Sequence, residues 1–122
     1  MVLVDTSIWV AHLRARDHGL EELLLEAQVM CHPYVIGELA CGNIINRDEI
    51  LSLLEDLPST PAISQEEFLY FIEIHNLAGS GIGFVDVHLL ASSCLSDTPL
   101  WTSDKKLRLS AKKMGVSFQP LG

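Results

Sequence analysis

The chain has 122 residues, 48% of them apolar and 20% charged, and a formal net charge of −8. This balance fits one globular domain with a proper core and excludes membrane-helix architecture, since no run reaches the ~18 uninterrupted apolar residues a span needs. The charge argues against a broad basic surface for nucleic acid.

Met1–Val4 is a short, wholly apolar run, as in a buried parallel strand. With a strand starting at once there is no basic segment or cleavage site of a signal peptide, so a cytoplasmic location is expected. Ser7 to about Arg16 has helical spacing through Ile8, Val10, Ala11 and Leu13, and Asp17-His18-Gly19 punctuates it. Residues 20–28 carry Leu20, Leu23, Leu24 and Ala27 on one helical face, with Glu21, Glu22 and Glu26 outward. Val29–His32 reads as a second strand, and Pro33 suits the first turn of a helix over about 34–44. Another amphipathic stretch covers Asp48–Leu57, before Pro58-Ser59-Thr60-Pro61 breaks the chain.

Ser64-Gln65-Glu66-Glu67 has the form of a capping box and opens a long helix containing Phe68, Phe71, Ile72 and Leu77. Gly79–Gly83 is a connector, helix 86–96 follows, and Asp97-Thr98-Pro99 turns the chain. Strand 100–102, helix 105–114 and a last strand Val116–Gln119 complete it. Strands alternating with helices predict an α/β domain over 1–122, its mostly parallel central sheet covered by helices on both faces.

Four carboxylates stand out against their apolar surroundings, where an isolated charge is costly. Asp5 closes the first strand, Glu38 lies within the third helix, Asp86 interrupts Phe84–Leu90, and Asp104 ends Leu100-Trp101-Thr102-Ser103. Asp is a favoured N-cap, so Asp5, Asp86 and Asp104, each before an expected helix, could separately be caps. Glu38 is inside its helix and escapes that explanation. Ligands in open α/β sheets collect beyond the carboxyl ends of strands, where Asp5 and Asp104 fall. Hard oxygen donors without cysteine or histidine suit Mg²⁺ or Mn²⁺.

Cys31, Cys41 and Cys94 have no metal-binding spacing with one another or with the histidines, and beside apolar residues they read as small hydrophobes. Trp9 and Trp101 read as buried, His88 as packing. Five of the eight basic residues (Lys105, Lys106, Arg108, Lys112, Lys113) follow Asp104 within nine positions. Such a run is ordinarily a solvated helix face; next to a candidate ligand, Lys105, Lys106 and Arg108 are also candidates for phosphate contact. Arg14 and Arg16, ending the first helix, are candidates for RNA or partner contact.

The motifs Val4-Asp5-Thr6-Ser7, Ile36-Gly37-Glu38-Leu39, Phe84-Val85-Asp86-Val87-His88-Leu89-Leu90-Ala91 and Trp101-Thr102-Ser103-Asp104 resemble the four acidic motifs of PIN-domain ribonucleases. Over essentially the whole chain, the length resembles a VapC-type toxin of a bacterial toxin–antitoxin pair. The resemblance implies a PIN-like fold in which Asp5, Glu38, Asp86 and Asp104 hold one or two Mg²⁺ or Mn²⁺ ions. It also implies support from Thr6 or Ser7 and from Thr102 and Ser103. Many members carry another acid or amide shortly after the fourth acid; here Lys105-Lys106-Leu107 follow. The activity implied is endonucleolytic RNA hydrolysis by metal-activated water. The implied partners are RNA, a VapB-like antitoxin inserting a basic segment, and a second copy in a homodimer, assembling into a heterotetramer or larger with antitoxin.

Two rivals remain at the level of sequence. A phosphoryl-transfer domain on a similar sheet would want a second acid near Asp5, where Thr6 and Ser7 stand. A catalytically silent PIN-like interaction module would not require all four acids.

Overall fold

The computed structural model describes residues 1–120. In chain order these form β1 (Val2–Val4), α1 (Thr6–Arg14), α2 (His18–Leu25), β2 (Val29–Met30), α3 (Pro33–Cys41), α4 (Arg47–Asp56), α5 (Gln65–Ile74), α6 (Phe84–Ser96), β3 (Leu100–Trp101) and α7 (Lys105–Lys113). The sheet is parallel in the order β2-β1-β3, with Val2 opposite Val29, Leu3 opposite Met30 and Leu100, and Val4 opposite Trp101. Successive side chains of a strand point to opposite faces, yet Val2, Leu3 and Val4 are all buried. The sheet is therefore covered on both sides, and this is the α/β arrangement expected.

One apolar cluster joins the strands to Ile8, Trp9, Leu20, Val35, Leu39, Leu54, Phe68, Leu89, Leu90 and Leu107. Trp9 and Trp101 are buried within it. Among the described residues no helix is long and apolar enough to cross a membrane.

Helix ends account for most departures from the sequence reading. The α5 capping box forms, with Ser64 Oγ accepting from the Glu67 amide at 3.1 Å and Glu67 Oε1 accepting from the Ser64 amide at 2.9 Å. The helix nonetheless stops at Ile74, and Leu77 lies outside it. Asn76 takes a left-handed conformation while the Leu77 and Asn76 amides donate back to Ile72 and Glu73, a Schellman ending. Ala27 and Gly115 end α2 and α7 in the same way.

The chain does break between α1 and α2 at Asp17, but His18 and Gly19 already belong to α2, which Asp17 caps by accepting from the Leu20 amide at 2.9 Å. Nor does Val116–Gln119 form a full strand. Leu100 pairs with Ser117 in an isolated bridge, and two-residue β3 has little more edge to offer. Cys41 departs from the buried-cysteine expectation, being exposed at the end of α3.

Candidate active site

The chain leaves β1 through α1 and α2 to reach β2 on one side, whereas from β3 it passes through α7 to the Ser117 bridge on the other. Connections thus diverge between neighbouring β1 and β3. This is a topological switch point, where the carboxyl ends of parallel strands leave a crevice. Asp5 and Thr102 stand at those ends.

Asp5 is buried, and its Oδ2 accepts from Thr102 Oγ1 at 2.7 Å and from Ser7 Oγ at 2.9 Å. Although it occupies the N-cap position of α1, its side chain makes no cap bond. Asp86 is not a cap either. Helix α6 begins two residues earlier than expected, with Gly83 as N-cap, so Asp86 lies in the first turn. Asp104 alone of the three caps its helix, Oδ1 accepting from the Leu107 amide at 2.9 Å. Capping therefore explains one oxygen of one residue.

Glu38 projects from α3, and its Oε1 accepts from Thr6 Oγ1 at 2.6 Å. Thr6 and Ser7 thus divide between two acids. Ser7 Oγ also accepts from the Ser103 amide at 3.2 Å, and Thr102 Oγ1 from the Asp104 amide at 3.1 Å. Ser103 acts through its backbone, a role its side-chain identity could not signal. These bonds tie the ends of β1 and β3 and the start of α7 into one rigid rim.

Three of the carboxylates act on the fourth. The Asp86 carboxyl is pushed up to about 6, first by burial and then by the negative charges of Asp5, Asp104 and Glu38. Among the described residues, no three acidic, histidine or cysteine side chains are grouped closely enough to form a ready-made metal cluster. Each of the four acids keeps an oxygen free of protein donors among the described residues: Asp5 Oδ1, Glu38 Oε2, Asp104 Oδ2 and both oxygens of Asp86.

A family profile described as PIN domain matches residues 2–113. The chain belongs to the PIN-domain family. It is also 45% identical over 119 residues to Ribonuclease VapC32 of Mycobacterium tuberculosis, in strain CDC 1551 / Oshkosh and in strain ATCC 25618 / H37Rv alike. Those alignments cover 97% of this chain and 96% of each relative.

The other sequence candidates surround this PIN-domain crevice unequally. Arg14 is exposed and shares with Glu38 and Leu39 a cleft of about 370 Å³ that also borders Ile44 and Ile45. Arg16 points its guanidinium at Glu21 instead. Lys105, Lys106 and Arg108 are exposed on α7, and Lys106 lies against Gly81 in the loop leading to α6. His88 is buried against Phe68, with ring centroids 4.1 Å apart. His32, which the sequence did not single out, caps α3: Nδ1 accepts from the Tyr34 amide at 3.0 Å and Nε2 faces Ser92 Oγ at 3.1 Å. A histidine before proline is not a usual cap signal.

Proposed function

We infer that this PIN-domain protein is an endoribonuclease of the VapC type, the toxin of a toxin–antitoxin pair. The observation that carries the reading is the set of four carboxylates at the switch point, each with a free oxygen, three of which bear on the half-buried Asp86. The similarity to a ribonuclease across nearly the whole chain supports it. Repulsion of this kind is the signature of a site made for a cation.

The donor set fits Mg²⁺ or Mn²⁺, one ion or two. It is all hard oxygen, the donor chemistry that Mg²⁺ and Mn²⁺ prefer. When bound, the metal supplies an acidified water and neutralises charge on the phosphoryl oxygens. Asp5, oriented by Ser7 and Thr102 through Oδ2, would hold the ion through Oδ1. Glu38 and Asp104, each anchored through one oxygen, would help to hold the ion through the other. Asp86 has both oxygens free and would be the carboxylate available either to hold the ion or to take a proton from the attacking water. Thr6, Ser7, Thr102 and the Ser103 amide keep these carboxylates in place. Arg14, Lys105, Lys106 and Arg108 contact RNA phosphates on either side.

A VapB-like antitoxin would silence the enzyme by placing a basic segment among the acids. A homodimer, joined into a heterotetramer or larger assembly with antitoxin, and a cytoplasmic location complete the proposal.

The test is cleavage of total cellular RNA by purified protein, with the new ends sequenced. EDTA is expected to abolish cleavage, Mg²⁺ or Mn²⁺ to restore it, and the products to carry 5′-phosphate and 3′-hydroxyl ends. Undiminished cleavage in EDTA would refute the metal mechanism, and no cleavage under any metal would refute the activity.

A further inference from the structure

Beside the acids runs a groove of about 500 Å³ lined by Pro33, Tyr34, Gly37, Glu38, Cys41, Phe84 and Val85. Tyr34, Gly37, Glu38 and Cys41 fall at i, i+3, i+4 and i+7 of α3 and so form one stripe of that helix. Glu38 is thus both the groove's wall and a member of the acidic set. Across from it, Phe84 opens α6 two residues before Asp86 and is 57% exposed. Tyr34 lies nearly parallel to Phe84, with ring centroids 6.1 Å apart and planes at 21°. Phe68 and the buried His88 brace Phe84 from beneath, at 5.0 and 4.7 Å. The floor is open: a Cβ on Gly37 would meet nothing within 4 Å.

We propose that this groove is a nucleobase subsite, in which the base next to the cleaved phosphate stacks on Phe84 and Tyr34. The inference rests on the ribonuclease reading. Its occupant follows from chemistry and continuity. No basic side chain lines the groove, so it cannot take the phosphate backbone. Glu38 belongs both to the acids and to the groove wall, so a strand whose phosphate lies among the acids can place its neighbouring base beside Glu38, against the rings of Tyr34 and Phe84. Stacking there accepts any base, because every base has a π face, and is worth roughly 5- to 150-fold in affinity.

The experiment uses an RNA oligonucleotide containing a cleavage site mapped with the wild-type enzyme, and copies of it abasic at the nucleotides on either side of the cut. One abasic copy is expected to lose roughly 5- to 150-fold in kcat/KM with wild-type protein, mainly through KM. Phe84→Leu should suffer a similar loss on the intact RNA and no further loss on that abasic copy, and Phe84→Trp should restore cleavage. Gly37→Leu fills the groove without touching the core and should mimic Phe84→Leu should that variant fold poorly. Additive losses, or full activity in Phe84→Leu and Gly37→Leu, would overturn the subsite. So would a loss that tracks dissociation of a dimer in sedimentation, since the groove would then be an interface between copies. If wild-type protein cuts no RNA, the ribonuclease reading itself fails.

Discussion

Asp5 shows how little a residue's position reveals of its task. It stands at an N-cap position, yet it makes no cap bond; two hydroxyls from opposite ends of the chain claim Oδ2, and Oδ1 is left free. Replacing Thr102 with valine keeps the shape and removes one of those donors from a buried carboxylate. The expected cost is about 1–3 kcal/mol in urea unfolding, with a fall in cleavage as Asp5 loses its orientation. Unchanged stability would mean that the bond contributes nothing net. Thr102 was legible because it accompanies the fourth acidic motif. The Ser103 amide was not, since backbone donors leave no trace in residue identity.

Elements were legible where local chemistry decides them and blurred where packing does. The α5 start was spelled out by Ser64 and Glu67; Ser64→Ala should lower stability by about 0.5–2 kcal/mol in thermal melts, and a smaller change would show the box to be solvent-replaceable. The end of α5 was hidden, because Leu77 keeps helical spacing after Asn76 has already turned the chain. The start of α6 was likewise hidden: nothing local marks Gly83 as the cap, and this misplacement made Asp86 look like one.

Helix α3, which delivers Glu38, depends on neutral His32. Burial, and then the neighbouring His88, lowers its pKa to about 4. Protonation at Nδ1 would remove the acceptor for the Tyr34 amide. The folded value is depressed, so the unfolded chain binds more protons between pH 4 and about 6.5. His32 therefore stabilises fully above that window and loses its contribution as pH falls through it, by at most about 3 kcal/mol.

At the scale of the whole molecule, an acidic protein is paired with a polyanionic substrate, and the crevice between β1 and β3 resolves the conflict. The order of the acids could be read from the motifs. Their gathering depended on strand order, which no local pattern encodes. Burying Asp86 and gathering the other acids around it has a cost: in metal-free protein the raised Asp86 carboxyl favours the folded state below about pH 4 and disfavours it as pH rises through 6. This opposes His32 over pH 4–6, so wild-type stability should be flatter there than that of Asp86→Asn. The same variant should be more stable than wild type at pH 7 without metal, on the order of 1 kcal/mol once solvent screening is allowed for. A parallel pair of stability–pH curves would refute the raised Asp86 carboxyl.

The most direct measurement joins the two properties in that one variant. Purified Asp86→Asn, assayed on total RNA with Mg²⁺ or Mn²⁺ and melted without metal, should lose roughly 10²-fold or more of its cleavage while melting at or above the wild-type temperature. Cleavage at the wild-type rate, in a protein that remains folded, would contradict the assignment of these carboxylates as a catalytic metal site.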